Sequence, residues 1–180
     1  MKTGLRFLAA LSFFVMAASP GFARDLKINA FYGLFEGTGV AENRDSIYFG
    51  VTVRDFDVSV KPAGEGFEVE WTTVIRRGGD PNNPKVKRKG QKFTFLPSGR
   101  AGIYRSPASA DPMSGAAYAW ARISGNTLNV YLFTITASGA YSMQSYARTL
   151  TPLGMDFVFT RLRDGEPVRS VKGKLIKYAK

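Results

Sequence analysis

The chain has no cysteine and no histidine among its 180 residues. Without cysteine, an oxidising compartment offers it no disulfide staple, and burial of a core must hold the fold. Without histidine, neither a Ser-His-Asp nor a Cys-His nucleophile can be assembled. Zinc sites built from His and Cys and haem held by a proximal His are excluded as well. Ser-x-x-Lys, another common hydrolase signature, does not occur. Long apolar runs are also missing, with one exception at the start. Phe7 to Ala18 follows the basic Lys2 and Arg6 and precedes the small residues Gly21 and Ala23. That order reads as a secretory signal peptide, too short for the roughly 20 residues of a bilayer span. Cleavage is expected after Ala23, leaving 24–180 as a single domain that is periplasmic or secreted and does not span a membrane.

What is present is strand. Segments rich in Val, Ile, Thr, Tyr and Phe are separated by glycine-bearing turns nearly to the C-terminus, with no linker and no close internal repeat. Such spacing predicts an all-β, up-and-down antiparallel barrel of about eight to ten strands. In "RDFDVSVKPAGEGFEVEWTTV", Phe56, Val58 and Val60 alternate with Asp55, Asp57 and Ser59, and Phe67, Val69 and Trp71 alternate with Glu68 and Glu70. The apolar residues share one face and the carboxylates the other. Those carboxylates admit a cation site or a glycosidase pair. Arg88 and Lys92 on the next strand favour a salt-paired outer surface instead. Val51 and Val53 have the opposite parity to Phe56, which predicts a bulge near Arg54-Asp55.

In the second half, Gly125-Asn126, Ser138-Gly139 and Asp164-Gly165 are turn signals. Taking the first two as two-residue loops, Trp120 falls opposite Tyr131, and Tyr131 opposite Tyr146. A turn over Thr151 to Gly154 then sets Arg148 against Phe157, Tyr146 against Phe159 and Gln144 against Arg161. One face would carry Tyr118, Trp120, Arg122, Asn129, Tyr131, Phe133, Gln144, Tyr146, Arg148, Phe157, Phe159 and Arg161. Aromatic walls seeded with arginines suit a ligand cavity, since the planar guanidinium grips carboxylate or phosphate with two charge-assisted hydrogen bonds. The same face admits two other readings, an outer stacking surface and a plain core. A one-residue slip exchanges the faces.

"FYGLFEGTG", Phe31 to Gly39, looks like a phosphate loop but fails both templates. No Lys-Ser/Thr follows at the Walker spacing, and Glu42 stands where a dinucleotide fingerprint needs its third glycine. As the opening of a β-meander the stretch resembles the lipocalin-like (calycin) small-ligand barrels, which often begin glycine, one residue, tryptophan. Gly33-Leu34-Phe35 matches, with Phe35 in the aromatic position. The resemblance implies that Gly33, Phe35 and Gly37 belong to barrel closure and that an arginine from a late strand, here Arg161, crosses the aromatic. Fatty-acid-binding members hold carboxylates through an Arg-x-Tyr pair; here the order is Tyr146-Ala147-Arg148. The glycines are explained by a bent, closely packed strand.

The formal net charge is +11, and it stays strongly positive once Lys2 and Arg6 are removed. Lys85, Lys87, Arg88 and Lys89 form a basic run that reads as a solvated surface or as attraction to an anionic envelope surface. Outside the cytoplasm nucleic acid is not the expected partner. The expectation is a barrel that binds a small apolar, acidic ligand, needs no cofactor or metal and does not catalyse. The alternative is an interaction module, an enzyme inhibitor or envelope adaptor, working through the basic face.

Overall fold

The computed structural model describes residues 25–43, 51–76, 80, 83–109 and 111–179. The expected leader and its cleavage site lie outside them. Ten strands follow a short 3-10 turn, Ile28–Phe31: β1 (Gly33–Asn43), β2 (Val51–Ala63), β3 (Gly66–Arg76), β4 (Val86–Pro97), β5 (Ile103–Arg105), β6 (Tyr118–Ser124), β7 (Thr127–Ile135), β8 (Tyr141–Thr151), β9 (Gly154–Arg163) and β10 (Glu166–Ala179). Each strand pairs antiparallel with the next, and β1 pairs with β10, so the sheet closes into an up-and-down barrel. Pairing of β1 with β10 covers the two terminal edges that an open ten-stranded sheet would expose. Among the described residues no helix is long and apolar enough to cross a membrane.

The period-2 pattern sets which side chains fill the barrel. Val58 faces Trp71 and Val60 faces Val69 across β2 and β3, and all four are at most 4% exposed. On the outside of the same strands the carboxylates are salt-paired: Lys92, named from the sequence, reaches Glu68 at 2.9 Å, and two pairs not read from it add Lys61 to Glu68 at 3.0 Å and Arg76 to Asp55 at 2.8 Å. The expected bulge at Arg54-Asp55 does not form, because β2 pairs residue for residue with both neighbours. Unbroken parity sends Val53 outward, 38% exposed, and turns Arg54 inward. Sequence patterning favours valine in strands whether or not it is buried, and that preference misled the parity reading.

One end of the barrel is shut. Phe31 and Phe35 are fully buried there with Leu175, and Ile28 packs on them. Backbone closeness at this seam demands glycine: a Cβ on Gly37 would overlap the Lys174 carbonyl oxygen, and one on Gly39 would stand 2.7 Å from that of Lys172. Gly37 and Phe35, read from the sequence as closure residues, both lie at this end. The cation over Phe35 is Lys177 of β10, its Nζ 5.6 Å from the ring centroid. Arg161 instead donates from Nε to Ser142 Oγ at 3.1 Å, far along β9 toward the other end. The late-strand partner is therefore a lysine, supplied by the strand that neighbours β1 directly.

Two hairpins turn as their sequences dictate. Ser124 pairs with Thr127 around Gly125-Asn126, and Arg163 pairs with Glu166 around Asp164-Gly165, whose φ values of 49° and 87° are those of a type I′ turn. The β7–β8 connection departs from expectation. Ile135 pairs with Tyr141, and Thr136 N–H donates to the Ala140 carbonyl at 2.8 Å. The loop is thus longer than the two residues Ser138-Gly139, and the register slips by one. Tyr131 faces Ser145, and Tyr146 faces Val130.

Candidate functional site

That slip divides the expected aromatic face in two. Pairing within β6–β7 and within β8–β9 is as expected: Trp120 opposes Tyr131, Arg148 opposes Phe157 and Gln144 opposes Arg161. Tyr118, Trp120, Arg122, Asn129, Tyr131 and Phe133, however, stand on the outside. There Trp120 stacks on Tyr131 with centroids 4.9 Å apart, and Tyr118, Trp120 and Phe133 border a shallow depression with Pro112. The inner face of β6–β7 is made of Ala119, Ala121, Ile123, Leu128, Val130 and Leu132, all nearly or fully buried.

The other half of the expected set does converge. Gln144, Tyr146, Phe157, Phe159 and Arg161 line a cavity of about 550 Å³ that opens at the end away from Phe35. This lies within the range of small-molecule sites, roughly 300–1,000 Å³. Phe56, Trp71, Thr73, Ile75 and Val171 complete its apolar wall, and Arg54, Lys89 and Arg169 join Arg161 near the mouth. Arg88 also reaches the rim, but its guanidinium turns outward, 3.9 Å from Asp57. No carboxylate borders the cavity among the described residues.

The electrostatics follow from that imbalance. Burial lowers the pKa of Arg54, and the nearby charge of Arg169 lowers it further. Arg54 Nε is buried without a hydrogen-bond partner. The Tyr146 hydroxyl lies 2.8 Å from Gln144 Oε1 and 3.1 Å from Gln91 Oε1. Burial pushes its pKa up to about 12, so it remains a neutral phenol at physiological pH.

Arg148 is the most unusual residue of the interior. It is 0% exposed, and none of its three guanidinium nitrogens has a hydrogen-bond partner. Its charge is held only by rings: Cζ lies 5.0 Å from the Trp71 centroid, 5.6 Å from Tyr146 and 5.7 Å from Phe157. Cation–π contact of this kind supplies about 2 kcal/mol when desolvated, less than the several kcal/mol that burial of an ion costs. Burial accordingly pulls the pKa down to about 10. The same three rings line the cavity, so Arg148 lies behind the wall and does not itself border the space. Expected as a direct anchor, it is a buried cation one aromatic layer away.

Among the lining residues that the sequence reading did not assign to a site are Arg54, Arg169, Phe56 and Trp71. Uninterrupted alternation from Phe56 back through Arg54 was the available signal for two of them. Among the described residues no group of three or more acidic side chains is placed to hold a metal.

No protein-family model matches the chain, and no curated protein matches it in sequence. Solved structures do resemble it. A protein of unknown function from the DUF3598 family of Nostoc punctiforme superposes with a TM-score of 0.53 at 13% identity, covering 90% of this chain and 53% of that one. The chain thus spans about half the length of that neighbour, and what the two share is the fold. The S-type phycobiliprotein lyase of Guillardia theta aligns at a TM-score of 0.38 and 8% identity, over 84% of this chain and 90% of that one.

Proposed function

We propose that the barrel is a calycin-like binding protein which takes up a small, largely apolar molecule bearing an acidic group, and that it binds this ligand without transforming it. The observation that carries this reading is the cavity lining: aromatic below and cationic at the mouth, with no carboxylate among the described residues that line it. The apolar body of the ligand packs on Phe56, Trp71, Phe157 and Phe159. Its acidic group meets Arg54, Arg161 and Arg169, where charge-assisted hydrogen bonds outlast competition from water. Arg148 contributes through space, since its uncompensated charge raises the potential of the floor and favours any anion above it. The leader read from the sequence adds the expectation that this happens outside the cytoplasm, in the mature chain 24–180.

Titration with a fluorescent acyl carboxylate and with its methyl ester tests the reading, with tryptophan emission as an independent signal from Trp71 in the wall. The acid binds saturably and at least tenfold more tightly than the ester. Equal affinities would remove the acidic group from the proposal, and absence of binding by both would remove the ligand.

A further inference from the structure

The barrel wall has a gap between β4 and β6, and it arises from a short stretch of sequence. After Arg105 the chain reads Ser106-Pro107. Ser106 N–H turns to the Ala119 carbonyl of β6 at 3.2 Å, and Pro107 has no N–H with which to extend a ladder. The strand β5 therefore ends after three residues, having paired with β4 only at Leu96 and Pro97. The loop beyond it leaves β4 behind, with Ser109 Oγ donating to the Ala119 carbonyl at 2.9 Å and accepting from the Ala119 N–H at 2.8 Å. Val86 to Phe95 is thus paired with β3 on one side and with no described strand on the other. Exposure agrees: every residue from Val86 to Lys92 is exposed, inward-facing and outward-facing alike.

A free strand edge is a row of backbone donors and acceptors able to pair with another extended segment. This edge carries Lys87, Arg88, Lys89 and Lys92, with Lys85 just before it. Two copies of the chain meeting edge to edge would set these cations against one another, which disfavours self-pairing. The same cations favour a strand of opposite charge. Lys92 and Arg88 already face Glu68 of β3 and Asp57 of β2 on the outside of the barrel, while Lys85, Lys87 and Lys89 have no carboxylate within salt-bridge distance among the described residues.

We infer that the β4 edge is a docking site for an extended acidic segment of a protein partner, which adds as a strand beside Val86 to Phe95. Backbone pairing gives the complex its geometry, and Lys85, Lys87 and Lys89 select acidic side chains. The inference does not rest on the ligand proposed for the cavity, although the edge shares Lys89 with the cavity mouth and an added strand would cover the wall beside it.

Three probes test this with the mature chain: a ten-residue peptide of alternating Glu and Val, the same peptide with alternate amides N-methylated, and phosphatidylglycerol vesicles. N-methylation preserves charge and shape but blocks one ladder edge. The unmodified peptide is expected to bind with an affinity that falls steeply with salt, and to slow amide exchange in β4 at least tenfold. Methylated peptide should bind at least tenfold more weakly, and K87E/K89E should weaken the unmodified peptide by a similar factor while leaving the circular dichroism spectrum unchanged. Equal binding of methylated and unmodified peptides would reduce the site to a nonspecific cationic patch and overturn the inference. Binding of vesicles but not of peptide would overturn it in favour of an anionic lipid surface.

Discussion

The two ends of the barrel each contain a long cation among aromatic rings, and the two cations are treated in opposite ways. At the closed end, the Lys177 ammonium donates to the Tyr32 carbonyl at 2.5 Å and lies over Phe35. It remains partly exposed, its polar needs met. Toward the open end, Arg148 is wholly enclosed, and its nitrogens have no partner at all. Folding alone explains the first arrangement, because a lysine that buries its stem and satisfies its head stabilises the plug it covers. Folding alone does not explain the second, since a methionine of similar volume would fill the same space without the cost of burying charge. The closed end is built for stability. The open end spends stability, and a ligand is the reason we assign.

The sharpest break in this comparison comes from the plug. Phe35→Ala empties a fully buried aromatic site against Phe31, and such substitutions cost about 3–5 kcal/mol. Urea denaturation of the mature chain should show this loss, with little change in ligand affinity for the protein that remains folded. Arg148→Met should act with the opposite sign. Replacing buried charge with an apolar side chain of similar size commonly stabilises by about 1–4 kcal/mol. The denaturation midpoint should rise while affinity for the acyl carboxylate falls. A destabilised R148M protein would mean that the ring contacts more than balance desolvation, and the contrast between the two ends would disappear.

At the mouth the effects are smaller and purely functional. Arg54→Ala or Arg161→Ala should each weaken a carboxylate ligand by about 1.5–3 kcal/mol, the ordinary value of a hydrogen bond to a charged group. The methyl ester should be almost unaffected. Arg122→Ala is the internal control, because Arg122 lies on the outer face, and it should change neither ligand. Isothermal titration of the three variants with acid and ester measures all of these at once.

How far the sequence announced this arrangement depends on where the information for register resides. The barrel, its strand order and the inward trios around Val58 and Trp71 were legible, because strict alternation and Gly-containing turns act locally. Two strand pairs of the expected site, β6–β7 and β8–β9, were also legible through Gly125-Asn126 and Thr151 to Gly154. The two pairs could not be joined correctly, because Ser138-Gly139 is compatible with loops of more than one length and a single residue inverts a face. Tyr131 and Trp120 thereby fell outside while Tyr146 and Arg148 stayed in. Arg54 was missed for a different reason: two valines nearby suggested the wrong parity, and an inward arginine contradicts ordinary burial preferences. The free edge of β4 was least visible. It depends on where β5 stops, and hence on how the chain from Ser106 is drawn toward β6.

The smallest expected effect belongs to the outer surface of β3, where the ion pairs are ordinary. Glu68 is 8% exposed as a residue, and its hydrogen bond from Lys92, with Lys61 beside it, holds its carboxyl below the usual range against the opposing push of burial. In the unfolded chain those lysines are not held nearby, so the carboxyl titrates in its usual range. The folded state therefore binds the proton less readily than the unfolded one. Its contribution is fully present above the ordinary glutamate pKa and is lost as the pH falls through the depressed folded value. Denaturation curves between neutral pH and the acid limb should show this loss in the parent, and Lys92→Met should make the acid limb shallower without shifting ligand affinity. The change should shrink further as salt is added, because exposed cations such as Lys92 are screened. A shift in carboxylate binding in K92M would show that the outer face of β3 communicates with the cavity, and the division of the molecule into a stabilising part and a binding part would have to be redrawn around Trp71, the residue of β3 that faces inward three positions along.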